Sequence, residues 1–175
     1  FGSHVGYLYP MSVLNGRHAR SSFTGITFAG AGQNLDTGCK VVLNAPETSA
    51  TVETKGISKS GGIQTFRSSI VATPKAEGSK ATVSCQSLML DDQSRSDTIP
   101  AMDIRAKNVD IGHEATIGRI GDDKVFYLMS RGMTEEDARA LIVGGFAEPI
   151  AKELPLEYAV EMNNLIHLEM KGSIG

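Results

Sequence analysis

The sequence predicts a mainly β protein that ends in a small helical domain. Short apolar or alternating runs recur between residues 13 and 107, and turn-forming residues separate them. From Gly121 onward, apolar residues recur instead at helical spacing. No helical pattern interrupts the predicted strands, which argues against a βαβ fold.

Six runs are predicted as strands: residues 22–28, 39–43, 50–55, 65–72, 81–90 and 102–107. Strands of this length at short, regular spacing indicate an all-β sandwich, barrel or solenoid. Small residues on the predicted inward faces favour the narrow interior of a solenoid, although no clean repeat is visible in the sequence.

The run from residue 81 to residue 89 alternates strictly between two faces. Ala81, Val83 and Cys85 share one face, while Thr82 and Ser84 share the other. We therefore expect Cys85 to point toward a core. Met102, Ile104 and Ala106 alternate with charged residues in the same way.

Three helices are predicted after the strands. Asp122 caps a helix over residues 123–131, and Thr134 opens a second helix that the Gly144-Gly145 pair loosens at its end, ahead of Pro149. Pro155 begins the third.

Three segments follow from these patterns. Residues 1–14 are expected to be a remnant of cloning or part of a strand, residues 15–121 the β core, and residues 122–175 a helical domain packed on it. A chain of 175 residues is long enough to bury a sizeable core.

Charge and composition exclude several classes of function. The net charge of −3 argues against nucleic-acid binding, because phosphate recognition needs a basic surface. No apolar run approaches the ~20 residues of a membrane span. The first residues lack the pattern of a signal peptide, and two cysteines do not make a disulfide framework. We therefore expect reduced thiols and a cytoplasmic protein.

Four residues are candidates for chemistry. Cys85 is either a nucleophile and soft-metal ligand or a small buried residue, and Cys39 is expected only to pack. His113 and Glu114 are adjacent, so in an extended segment they point to opposite faces and should not chelate one metal together. One of them could pair with Cys85 from a neighbouring strand; alternatively, both are structural. No familiar catalytic spacing is present.

Ten short motifs stand out along the chain: residues 36–38 (DTG), 44–49 (NAPETS), 55–59 (KGISK), 90–98 (LDDQSRSDT), 113–116 (HEAT), 119–121 (RIG), 126–132 (FYLMSRG), 146–149 (FAEP), 153–161 (ELPLEYAVE) and 172–175 (GSIG). In these motifs the chain resembles the C-terminal part of SufB proteins, the scaffolds of the SUF iron–sulfur cluster assembly system within the SufB/SufD family.

The resemblance implies a right-handed parallel β-helix followed by a helical domain. It implies a scaffold that accepts sulfur and iron, builds a transient cluster and passes it to apo-proteins. On the matching motifs, Cys85 is the sulfur acceptor and a cluster ligand, Glu114 is a second ligand, and His113 is a neighbouring candidate.

Partners are also implied by the resemblance. The ATPase SufC would bind the C-terminal helices, SufD or a second copy would pair with the β-helix, and a SufE-type protein would donate sulfur. Whether the full complex uses a flavin is left open. The expected location is the cytoplasm, or a plastid in a eukaryote.

Two alternatives accompany this interpretation. A SufD-like structural adaptor shares the fold and much of the tail, but the paralogue generally lacks the combination of Cys85 with Glu114. A polysaccharide-cleaving β-helix enzyme would need a carboxylate cluster in an exposed groove. The N-terminal half of a SufB is missing, so we expect the chain to be a fragment.

Overall fold

Parallel strands wind into a solenoid in a computed structural model that describes residues 2–171. The matched segment 172–175, the end of the predicted helical segment and Phe1 lie outside the described residues. The strands are β1 (Val5–Leu8), β2 (Met11–Leu14), β3 (Arg20–Ala29), β4 (Asn34–Leu43), β5 (Ser49–Ser58), β6 (Ile63–Ala72), β7 (Lys80–Met89), β8 (Arg95–Ile104) and β9 (Asp110–Arg119).

The strands form two sheets, and successive strands from β3 onward alternate between them. Sheet 1 has the order β1-β4-β6-β8, with β2 also paired to β4, and sheet 2 has the order β3-β5-β7-β9. All pairings are parallel. In sheet 2, Arg20 pairs with Ser49, Ser49 with Lys80 and Lys80 with Asp110, so one turn takes roughly 30 residues. The expectation of a parallel β-helix followed by helices is confirmed.

The inner core lies between the two sheets. Alternate residues of each strand face it, as the pleat of a β-strand requires. Ala81, Val83 and Cys85 are all buried there, which confirms the predicted inward face of β7. All six predicted strands overlap observed ones. The observed strands β3 to β6 and β8 have ten residues each and are longer than predicted, because inward glycine, threonine and serine residues hide the apolar pattern, whereas β7 has the predicted length. Strands β1, β2 and β9 are not among the six predicted runs.

The solenoid ends at β8 and β9, and its last turn exposes apolar side chains. Met102 pairs with Ile70 of β6, but Met102 is 42% exposed whereas Ile70 is 1% exposed. Ile104 and Ile117 are exposed as well. Met102 and Ile104 therefore lie at the open end rather than within the core, whereas Ala106, beyond the end of β8, packs against the inner core.

Three helices follow the solenoid: α1 (Asp122–Ser130), α2 (Glu135–Glu153) and α3 (Leu156–Met170). Thr134 caps α2 as predicted, because its hydroxyl oxygen accepts from the Asp137 backbone N–H at 3.1 Å. The predicted end of α2 is wrong, since the helix continues through Gly145 and Pro149. None of the described helices is long and apolar enough to cross a membrane.

An outer core joins the helices to the outer face of sheet 2. Phe28 of β3 and Ile57 of β5 are fully buried in it, together with Val143 and Ala147 of α2. Burial of this side of α2 explains why the helix persists: apolar packing offsets the backbone hydrogen bond that Pro149 cannot donate.

Polar links supplement the outer core. Lys59, in the turn after β5, donates from Nζ to the backbone carbonyls of Glu169 and Met170 at 3.1 and 2.6 Å. A cation at this position also complements the negative end of the α3 dipole. Arg139 of α2 donates to the Leu90 carbonyl at 3.2 Å. The helices are therefore attached to the turns of the solenoid as well as to its sheet.

Replacing a side chain of the inner core should destabilise the solenoid. We expect Ile70→Ala to lower the free energy of unfolding by about 2–5 kcal/mol, because the fully buried side chain leaves a cavity. Ile99→Ala is the matched control, since Ile99 is 42% exposed on β8, and it should cost less than about 1 kcal/mol. Urea unfolding measures both; equal effects would contradict the assigned core.

Removing the cation that caps α3 should loosen that helix. We expect Lys59→Met to destabilise the attachment of α3 by about 1–2 kcal/mol, because two backbone carbonyls lose a charged donor. Hydrogen exchange of the last α3 turn should then be faster by roughly tenfold. Lys75→Met, at an exposed loop position, is the control and should leave that exchange unchanged.

Candidate functional site

Sheet 2 brings Cys85 and His113 together on its inner face. Cys85 lies on β7, and β9 pairs with β7 in a register that sets His113 beside Val83, two residues before Cys85. Because residues two apart in a strand share a face, both side chains point inward. Cys85 Sγ lies 3.4 Å from His113 Nε2.

The surroundings of Cys85 favour its neutral thiol. The side chain is 3% exposed, and burial raises the pKa of the thiol, while the Thr54 hydroxyl of the neighbouring strand lowers that pKa by a smaller amount. A thiolate is the reactive form of cysteine. The imidazole nitrogen at hydrogen-bonding distance is placed to remove the thiol proton when His113 is in the tautomer that accepts at Nε2.

Glu114 lies on the opposite, outer face of sheet 2. Its strand partner is Ser84, the residue before Cys85, and its side chain is exposed. The observed alternation matches the expectation that His113 and Glu114 point to opposite faces. Among residues 2–171, no group of three or more His, Cys, Asp or Glu side chains is arranged to hold a metal ion.

Cys39 lies on β4 in the inner core that also contains Cys85. Burial raises the pKa of Cys39 to about 11, and the negative charge that Cys85 would carry contributes to the shift. Both cysteines are free thiols. Cys39 therefore stays protonated at neutral pH, in keeping with the packing role expected of it.

Polar residues near Cys85 were missed by sequence reasoning. Thr54, Gln64 and Ser87 line a small cavity together with Cys85. Thr54 precedes Cys85 by 31 residues and pairs with it, so a search at the spacing of one turn would have found this neighbour. Gln64 lies just before the predicted strand 65–72, between Ile63 and Thr65, and no sequence signal marks it.

Comparison with known proteins supplies the family. The family model described as "SUF system FeS cluster assembly, SufBD core domain" matches residues 1–146. The iron–sulfur cluster assembly protein SufB of Bacillus subtilis is 47% identical over 174 residues, which is 99% of this chain and 37% of that protein.

Two SufBD family proteins give the same result. That of Staphylococcus saprophyticus is 47% identical over 99% of this chain and 37% of its own length. That of Mycobacterium tuberculosis is 45% identical over 99% of this chain and 21% of its own length. The chain therefore spans little more than a third of the Bacillus and Staphylococcus proteins and about a fifth of the Mycobacterium protein. With the family model matching most of it, the chain belongs to the SufB/SufD family of iron–sulfur cluster assembly proteins.

Proposed function

We propose that this chain is part of a scaffold on which iron–sulfur clusters are assembled, and that Cys85 accepts the sulfur. One observation carries the proposal: a buried thiol and an imidazole nitrogen lie 3.4 Å apart inside the solenoid. A nucleophile beside its base is the arrangement that thiol chemistry requires.

The sulfur step is a transfer between thiols. His113 removes the Cys85 proton, and the thiolate attacks the terminal sulfur of a donor persulfide, R–S–SH. A new S–S bond forms on Cys85 while the donor S–S bond breaks, and the donor leaves as R–SH after taking up a proton. The products are Cys85–S–SH and R–SH, so no external oxidant is needed. A SufE-type protein is the proposed donor.

Iron is the second component of the cargo. Cys85 and His113 offer a soft and a borderline ligand on one face, which suits iron in a cluster. Glu114 is proposed as a further ligand, although its carboxylate lies on the other face of sheet 2. Two features support its participation: it is exposed, and β9 pairs with one strand only, so this edge is free to shift or to be joined by another chain.

A second subunit of the same fold is the proposed partner at the open end of the solenoid. Exposed apolar side chains of Met102, Ile104 and Ile117 there support the proposal, as do the unpaired edges of β8 and β9. An unpaired strand edge is a template for pairing with another chain. SufD or a second copy fits this surface by its shared fold.

The ATPase SufC is the proposed partner of the helices. Phe126 of α1 is 72% exposed, and Leu156 and Tyr158 of α3 are similarly open to solvent. These exposed apolar side chains support a contact surface on the helices. Motion of the ATPase would reach sheet 2 through the outer core and the Lys59 link. The proposal assigns no flavin to residues 2–171.

A structural adaptor without chemistry is the second candidate. The separation of Glu114 from Cys85 favours it, as does the lack of a three-ligand group among residues 2–171. In this case the solenoid and its helices would only position other subunits, and the Cys85–His113 pair would be a packed core contact.

Cluster reconstitution separates the two candidates. In the full-length protein with its ATPase and paralogue, under iron, sulfide and anaerobic conditions, we expect Cys85→Ser to lower bound cluster at least tenfold, because the cluster loses its thiolate ligand. Glu114→Gln should lower it severalfold. Visible absorbance measures the cluster. Cys39→Ser is the matched control and should retain the bound cluster. A wild-type protein that stays colourless but still binds the ATPase would support the structural adaptor.

Removing the proposed base should slow the chemistry of Cys85. In a Cys39→Ser background, we expect His113→Ala to lower the alkylation rate of Cys85 at neutral pH by roughly 10²-fold. The rates should converge at high pH, where solvent removes the proton. Since burial raises the pKa of Cys85, convergence should occur above the ordinary thiol range. His18→Ala, at an exposed site, is the control and should leave the alkylation rate unchanged. An alkylation rate in His113→Ala equal to that of the wild type would exclude His113 as the base.

A further inference from the structure

The sulfur atom of Cys85 lies between side chains of both neighbouring strands of sheet 2. On the β9 side, His113 Nε2 is 3.4 Å from Cys85 Sγ. On the β5 side, Thr54 is the direct strand partner of Cys85, and its hydroxyl is hydrogen-bonded to the sulfur. Thr54 is 8% exposed and lines the same small cavity as Cys85. The sulfur is therefore contacted from two opposite sides along the stack of strands.

The methyl group of Thr54 determines where its hydroxyl lies. Gly25 of β3 is the strand partner of Thr54 on the side away from Cys85, and a Cβ atom at Gly25 would lie 3.6 Å from Thr54 Cγ2. The methyl group is therefore directed toward β3, which leaves the hydroxyl on the side of β7. Because threonine is branched at Cβ and its χ1 rotamers are restricted, the hydroxyl is held at this position beside the sulfur.

The two hydrogen bonds of the Cys85 sulfur run in opposite directions. A thiol has a single proton to donate, whereas its sulfur also accepts weakly. When His113 accepts at Nε2, the thiol proton is directed to that nitrogen. The Thr54 hydroxyl, which carries its own proton, then donates to the sulfur. A sulfur held by this donor keeps its own proton directed toward His113.

From this arrangement we infer that Thr54 is a positioning residue for sulfur transfer, whose hydroxyl aims the Cys85 thiol at His113. The inference rests on the proposed function, because the aim matters only if His113 takes the thiol proton before Cys85 attacks a donor persulfide. A cysteine side chain has three staggered rotamers, and proton transfer requires the one in which the thiol reaches the base. Holding that rotamer raises the fraction of molecules that are ready to react.

A double-mutant cycle in the 175-residue chain tests the inference. In a Cys39→Ser background, Cys85 carries the only thiol. Cys85–SH reacts with glutathione persulfide to give Cys85–S–SH and glutathione, and mass spectrometry measures the rate at neutral pH. We expect Thr54→Val, which keeps the shape of the side chain and removes the hydroxyl, to lower this rate about tenfold. Combined with His113→Ala, Thr54→Val should change the rate by less than about twofold, because no base is left to aim at.

The infrared band of the S–H bond reports the aim directly, in the same Cys39→Ser background. An S–H bond that donates to nitrogen absorbs at a lower frequency than a free one, so Thr54→Val should move the band toward the free frequency. Thr54→Ser keeps the hydroxyl and should restore both the band and the rate. Thr37→Val is the matched control, since Thr37 lines the same cavity but donates to the Thr65 carbonyl at 3.5 Å, and it should change neither.

The outcomes separate this inference from the proposed function. An equal loss of rate from Thr54→Val with and without His113 overturns the inference, because the hydroxyl then acts independently of the base. An S–H band and a rate that Thr54→Val leaves unchanged overturn it as well. Thr54→Ala, which also removes the hydroxyl, replaces Thr54→Val if that variant does not fold. A wild type that takes up no sulfur overturns the proposed function, and the S–H bands then still show whether Thr54 aims the thiol.

Discussion

In-register stacking of parallel strands is the constraint on which the rest of this structure depends. Each long strand hydrogen-bonds to the strand one turn away along its whole length, so the inner or outer assignment of one residue carries over to its partner. This carry-over sets His113 beside Cys85 and turns Glu114 outward. A shift of β9 by one residue would exchange the two, because the side chains of a strand repeat every second residue. The composition of the site therefore depends on the register of one edge strand.

The narrow interior sets the chemistry that the solenoid can hold. Small residues at inward positions leave room for a polar side chain such as Gln64 to reach from one sheet to the other. A buried amide or thiol in this narrow interior has few hydrogen-bonding groups around it. Burial keeps the thiols of Cys39 and Cys85 protonated. Reactivity at Cys85 must come from a neighbour, and His113 is the neighbour that the register supplies. The open last turn of the solenoid is the proposed subunit interface.

Sheet 2 is a wall shared by the candidate site and the helices. Gly56 faces the inner cavity, while the next residue, Ile57, is fully buried in the outer core beneath α2. Ser87 and Leu88 have the same relation on β7. A displacement of the helices would therefore press on strands that line the cysteine cavity, without any long chain of intermediates. This adjacency gives the proposed ATPase a short mechanical route to the site, and the Lys59 link ties the far end of α3 to the same solenoid turns.

The sequence by itself determined that a β part is followed by helices, that Cys85 faces inward and that His113 and Glu114 point in opposite directions, because these follow from local periodicity and from turn and cap residues. It did not identify β1, β2 or β9 as strands. Its matched motifs also indicated the family. The tertiary structure alone decided the register, since hydrogen bonds between strands some 30 residues apart leave no local pattern. For the same reason only the structure brought Gln64 to the cavity of Cys85. It also carried α2 past Pro149, where burial against sheet 2 outweighs a broken backbone hydrogen bond.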